Sequence, residues 1–279
     1  MSTMIKMVRS LLAVATVAIA APALAAGGSV EIHTQKWSFA GPFGSFDRAQ
    51  LQRGFKVYRE NCSACHGLRQ VAFRNLAEEG GPSFTADQAK AIAAEYTVVD
   101  GPDDAGDMFE RPAILADRFP SPFPNEQAAR ASNNGAYPPD FSLLAKARAA
   151  QRGFPWFVFD AFTQYQENGP DYIFSLLTGY EEDPEGIEVP DGQYYNHSFL
   201  AGKFISMAPP LYDEAVEYTD GTPMTTAQYA RDVAAFMMWT AEPHLEARKK
   251  IGFRVMIFLI IFAGLLYFTK KKLWRNVEH

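Results

Sequence analysis

Residues Cys62-Ser63-Ala64-Cys65-His66 restrict the fold of this 279-residue chain more than any other feature. Thiols at i and i+3 stand one helical turn apart on one face, and the next residue is carried to the same place. This is the attachment spacing of a c-type haem, in which each thiol forms a thioether with a vinyl group and the histidine ligates iron. Two other uses of these residues fit less well. A thioredoxin-type redox pair expects a βαβ context, and none precedes Cys62. A zinc site needs two further ligands at comparable spacing, whereas the chain has two cysteines in all and its other histidines are scattered singly. The expected cofactor is one covalently bound haem c, held by Cys62, Cys65 and His66.

A cofactor of that size changes what the rest of the chain must do. With 48% hydrophobic and 14% aromatic residues, the sequence is too apolar for a disordered chain and carries enough for a core of one or two domains. Asp47 is a plausible N-cap for a helix in which Leu51, Phe55, Tyr58, Cys62 and Cys65 share one face. Thr225 with Gln228 makes a capping box for a second helix, with Tyr229, Val233, Phe236 and Thr240 as its stripe and Pro243 as its end, and Thr85 with Gln88 makes another. Shorter helices are expected over Glu126 to Asn133, Phe141 to Ala150 and Asp171 to Thr178, the last stopped by Gly179, and Tyr96 to Val99 looks like strand. Gly101 to Pro124 and Tyr180 to Pro223 show no periodicity. Loops so long are tolerable in a compact domain when a large apolar group supplies the core they enclose. The expected fold is mainly α, a c-type cytochrome fold with long loops wrapped around haem, plus one C-terminal transmembrane helix.

The two ends read as export and anchorage. Residues 1–25 carry Lys6 and Arg9, an apolar run from Leu11 to Ala21 broken by Thr16, and the small-x-small close Ala23-Leu24-Ala25, the pattern of a signal peptide. Ile251 to Phe268 is an apolar stretch of 18 residues with a single Arg254 able to snorkel, about 27 Å of helix. Four basic residues flank it on each side, so charge does not orient it and the leader decides. The expected organisation is a periplasmic domain over 26–248, an anchor over 249–269 and a short cytoplasmic tail over 270–279, single-pass in a bacterial inner membrane.

Charge divides unevenly along that plan. The net −6 separates into −14 on residues 26–248, with 17 basic against 31 acidic side chains, and a basic remainder. Such a domain repels nucleic acid and attracts a basic protein. Asp103, Asp104 and Asp107 form one acidic run, and Glu181, Glu182, Asp183, Glu185 and Glu188 another.

A sixth iron ligand has several candidates. Met256 falls in the apolar span, His279 beyond it, and Met237 and Met238 in an amphipathic helix; Met108 lies in an acidic loop, while His33, His197 and Met224 have no distinguishing context. Met207, in Ser206-Met207-Ala208-Pro209-Pro210, is in a loop that two prolines stiffen, which suits a weak thioether ligand.

The chain resembles the cytochrome c1 family, the haem-bearing subunits of ubiquinol:cytochrome c oxidoreductase, over nearly all of its mature length. The resemblance rests on Arg53-Gly54-Phe55-Lys56-Val57-Tyr58, on Ala129-Arg130-Ala131-Ser132-Asn133-Asn134-Gly135-Ala136-Tyr137-Pro138-Pro139-Asp140, on the Met207 segment and on Trp239-Thr240-Ala241-Glu242-Pro243. It implies His66 and Met207 as axial ligands and Arg130 as a cation near a haem propionate. It also implies an electron-transfer role, from a Rieske iron-sulfur protein to a soluble or membrane-tethered cytochrome c, with cytochrome b alongside in the membrane and the quinol chemistry in the other subunits. Two alternatives stay open on the residues: an independent tethered cytochrome serving a terminal oxidase, which would be isolated alone, and a haem gas sensor, which would bind carbon monoxide.

Overall fold

The computed structural model describes residues 32–149, 153–163, 165, 167–182 and 184–276. The expected leader over 1–25 and His279 lie outside the described residues. Asp47 accepts the Gln50 N–H at 3.2 Å and opens α1 (Arg48–Val57), as its side chain predicts. A π-helical turn follows, Tyr58–Cys62, closed by the Ser63 N–H on the Tyr58 carbonyl at 2.9 Å. The expected face still forms. Leu51, Phe55, Tyr58 and Cys62 are all buried, but one helical geometry gives way to another before the cysteines are reached.

Downstream, a 3-10 turn (Phe73–Ala77) leads to α2 (Ala86–Ala94), which carries the full reciprocal box between Thr85 and Gln88. Strand β1 (Thr97–Asp100) pairs antiparallel with β2 (Phe109–Pro112), Thr97 opposite Pro112 and Asp100 opposite Phe109. Strand β2 falls where no strand is expected from periodicity. What fixes it is Arg111, whose guanidinium is clamped between Asp100 and Asp117. The next elements are α3 (Glu126–Ser132) and α4 (Leu144–Ala147), then α5 (Trp156–Thr163) and α6 (Asn168–Thr178). A two-residue pair follows, β3 (Tyr194–Tyr195) with β4 (Phe204–Ile205), and then α7 (Thr226–Ala241) and α8 (Leu245–Leu273).

Four differences from expectation have physical causes. The helix expected over Phe141 to Ala150 shrinks to one turn, because the Phe141 N–H goes to the Gly67 carbonyl at 2.8 Å and the Ser142 hydroxyl takes the Gln70 N–H at 3.0 Å. Helix α5 follows a proline in a run of aromatics that shows no helical period, so nothing in the sequence announced it. Helix α6 starts three residues early, since Pro170 in its first turn has no N–H to lose there. Gln228 does not complete the box with Thr225; its amide turns to Asp232 at 2.8 Å, leaving the Thr225 hydroxyl alone to cap the Gln228 N–H.

That last detail points to the centre of the domain. Helix α7 is buried on all sides from Asp232 to Thr240, not along the single expected stripe, because α1, α4 and α6 surround it. Gly54 permits the closest of these crossings, since a Cβ there would lie 2.1 Å from the Asp232 carbonyl oxygen. Asp232 is fully buried and ionic, a costly choice that four donors offset: Arg53 Nε at 2.9 Å, the Tyr218 hydroxyl at 3.0 Å, Gln50 at 3.1 Å and Gln228 at 2.8 Å. Helix α8, 29 residues long, is apolar enough to cross a membrane and leaves the domain with its side chains exposed from Ile251 onward.

Candidate functional site

The Cys-x-x-Cys-His motif occupies the turn into which α1 unwinds. The Cys65 and His66 N–H groups both return to the Cys62 carbonyl, at 3.1 and 2.9 Å, so the five residues form one tight turn. Cys62 is buried, and its thiol is pushed up to about 12 by that burial, with Cys65 adding to it. Such a thiol is not the activated thiolate of a redox pair.

His66 is 9% exposed and held from three directions. Its Nδ1 lies 2.8 Å from the Pro139 carbonyl, which assigns the proton to Nδ1 and leaves Nε2 with a free lone pair. The Tyr58 hydroxyl donates to the His66 carbonyl at 2.9 Å, and the Phe141 ring stacks on the imidazole at 4.2 Å. Burial pushes the imidazole's pKa below its ordinary value, against the opposing pull of the Pro139 bond and Asp140. A neutral imidazole with one nitrogen tied and the other free is the form in which histidine binds a metal.

Two distant segments close on this turn. Residues 139–142 run beside 66–70: Asp140 takes the Arg69 N–H at 2.9 Å, and Phe141 and Ser142 make the bonds described above. From the other side the Met207 loop arrives, because Asn61, next to Cys62, donates to the Pro210 carbonyl at 3.2 Å. Tyr180 secures the same loop by donating to the Met207 carbonyl at 3.0 Å, and Met207 itself is half-buried just after β4. The other sulfur candidates sort as their contexts predict: Met237 and Met238 are packed in α7 at 1% exposure, and Met108 is 60% exposed. His33 and His197 are exposed, with ring centroids 6.4 Å apart.

Arg130 is half-exposed and engaged within its own segment. It pairs with Glu126 at 2.7 Å, donates to the Gly135 carbonyl at 2.9 Å and lies over the Tyr137 ring at 5.6 Å. Tyr137, Pro138 and Asp140 in turn line a cleft of about 150 Å³ that also touches Cys65 and Gly67. The donor set therefore fits a haem: two thiols one turn apart, a neutral imidazole with its free nitrogen, and a thioether on a loop tied to the same turn. Sequence reasoning missed the residues that do the tying. Asn61, Tyr58 and Tyr180 carry no spacing signal, and the Pro139 carbonyl has no side chain to read.

Comparison with known proteins agrees in one direction. The model of the Cytochrome C1 family matches residues 37–277. The chain is similar to cytochrome c1 of Blastochloris viridis, 52% identical over 262 residues that cover 94% of this chain and 92% of the relative. It is also similar to cytochrome c1 of Rhodospirillum rubrum, 44% identical over 296 aligned positions that take in the full length of both. A third relative, cytochrome b/c1 of Bradyrhizobium diazoefficiens, is 63% identical over 250 residues, and the chain spans 36% of its length.

Proposed function

The chain belongs to the cytochrome c1 family, and from that membership we propose that it is the membrane-anchored, haem-bearing subunit of a bc1-type quinol:cytochrome c oxidoreductase, accepting electrons from a Rieske iron-sulfur protein and passing them to a soluble or tethered cytochrome c. The observation that carries the site assignment is the convergence on one turn of Cys62, Cys65 and His66 with the Pro139 and Met207 segments, 73 and 149 residues away along the bonds that join them. A relative whose name joins cytochrome b to c1 supports cytochrome b as the neighbour in the membrane.

When bound, haem supplies a one-electron couple that a His/Met axial pair sets at high potential. Every other task belongs to the chain. Cys62 and Cys65 hold the group covalently. The Pro139 carbonyl keeps the proton on Nδ1 of His66, so that Nε2 presents its lone pair, and Tyr58 fixes the backbone that carries the ring. Phe141 covers the imidazole and keeps water from it. Asn61 and Tyr180 hold the Met207 loop on the opposite approach. Arg130, steadied on Tyr137 beside the cleft, offers a cation to a propionate. With both axial positions taken by the protein, no substrate binds the iron, and the work of the fold is to fix distance, potential and docking. Residues 1–25 serve as the export signal, 26–248 as the periplasmic domain, 249–269 as the anchor and 270–279 as a cytoplasmic tail.

Purification from the membrane with a reduced-minus-oxidised spectrum tests this directly. The proposal expects c-type and b-type haem in one particle with an iron-sulfur subunit, and covalent haem lost from the chain when Cys62 and Cys65 are both replaced by Ser. A chain isolated alone would indicate the independent shuttle, and carbon monoxide binding to the reduced protein would indicate an open iron.

A further inference from the structure

The segment around α5 puts an apolar surface where the domain has no use for one. Phe154 is 82% exposed, Phe157 60%, Phe159 55% and Trp156 54%, and Val158 between them is exposed as well. Every side chain from Phe154 to Phe159 is open, so the helix is apolar all round instead of along one stripe. That is the pattern of a helix that an apolar medium surrounds.

Its place in the fold identifies the medium. Before the segment, Lys146 of α4 pairs with Glu242 at 3.3 Å, and Glu242 also holds Arg248 at 2.8 Å. After it, the Tyr165 hydroxyl donates to the buried Asp171 at 2.8 Å, and buried Glu167 at the head of α6 is an electrostatic neighbour of Lys249. Both ends are thus rooted where α8 leaves the domain. At the same end Phe43, 75% exposed, meets the ring of Phe253 at 5.4 Å, and Lys249 donates to the Phe39 carbonyl at 2.6 Å.

We infer that α5 and the Phe154 turn before it sink into the interfacial layer of the bilayer that α8 crosses, giving the domain a second, monotopic foothold on the lipid. Tryptophan and phenylalanine favour that layer, and the cations Arg248, Lys249, Lys250 and Arg254 at the root of α8 match anionic headgroups at the same depth. A protein partner would ask for a stripe or a groove, and α5 presents neither. The inference rests on the reading of α8 as a membrane anchor.

Nitroxide labels read the surroundings. The probe is the intact complex carrying Val158→Cys, reconstituted in phosphatidylcholine vesicles with phosphatidylglycerol, with the signal of the unsubstituted complex subtracted. Asp104→Cys in an exposed loop and Leu259→Cys in α8 serve as water and lipid references. The expected result is a ratio of oxygen to nickel-chelate accessibility at 158 severalfold above that at 104 and close to that at 259. A water-like ratio at 158 overturns the inference, and so does shielding from both reagents, which would assign α5 to a protein partner. A label at 259 that reported water would remove the anchor itself, a failure distinct from one confined to 158. Phe154→Cys gives the same reading if Val158→Cys loses the haem spectrum.

Discussion

Removing the two ties on the Met207 loop should open the iron to outside ligands without touching any ligand residue. Asn61→Ala deletes the 3.2 Å bond to the Pro210 carbonyl, and Tyr180→Phe deletes the 3.0 Å bond to the Met207 carbonyl while keeping the ring. An intramolecular hydrogen bond contributes about 0.5–1.5 kcal/mol net; the longer Asn61 bond belongs near the lower end, and the half-buried tyrosine near about 1 kcal/mol. Each figure converts to a change in the population of the loop-open state, roughly twofold to fivefold for Asn61→Ala and roughly fivefold for Tyr180→Phe. The two bonds hold different residues of one loop, so the double variant should fall roughly between 10- and 25-fold if they act independently. The assay is equilibrium binding of imidazole to the oxidised holoprotein, followed by the Soret shift, because apparent affinity rises with the open fraction. An imidazole affinity unchanged in the double variant would refute the reasoning, since the loop would then be held by something other than these bonds.

Met207→Leu should leave haem covalently attached but lower the potential and admit exogenous ligands; a redox titration with an unchanged midpoint would point to another ligand. Asp232→Ala should lower stability by about 3–5 kcal/mol, because Arg53 is left without its buried partner, which in a domain of this size is a melting shift of roughly 10 °C by near-ultraviolet circular dichroism. A shift under about 2 °C would show that the network relaxes. Electron transfer to a basic cytochrome c should slow as salt rises from about 50 to 200 mM, where the screening length falls from roughly 14 to 7 Å. Neutralising Glu181, Glu182, Glu185 and Glu188 should flatten that dependence more than neutralising Asp103, Asp104 and Asp107, because the former run begins beside Tyr180 and so beside the Met207 loop. Stopped-flow rates showing equal flattening, or none, would remove the directional steering.

Much of the fold was legible because side chains that cap or stop helices act locally. Asp47, Thr85 and Asn125 each accept an N–H of the first turn of the helix that follows, and the family segments named from the sequence are the ones the comparisons support. The single-turn α4 was not legible, because Phe141 and Ser142 satisfy the backbone of residues 67 and 70 before they can serve a helix. Helix α7 was read as amphipathic since its polar members, Asp232 and Thr240, look solvent-facing in a list of letters. In the fold Asp232 is an ionic hub and Thr240 bonds back to the Met237 carbonyl at 2.9 Å. At the candidate site the donor residues were named in advance, whereas their supports are a carbonyl, an amide and two phenols, groups that occur throughout the chain and acquire a role only by proximity.

The π-helical turn between Val57 and Ser63 acts as a phase setter. An α-helix advances about 100° per residue, so one residue more or fewer upstream of a motif re-aims all that follows. By widening a single turn, Tyr58–Cys62 takes up one such increment and keeps α1 seated on α7 through Gly54 while aiming Cys62 and His66 elsewhere. The angular offset between the packing face and the ligand face is thus written in backbone geometry, and deleting one residue from the turn would swing both cysteines around the axis with every ligand still in the sequence.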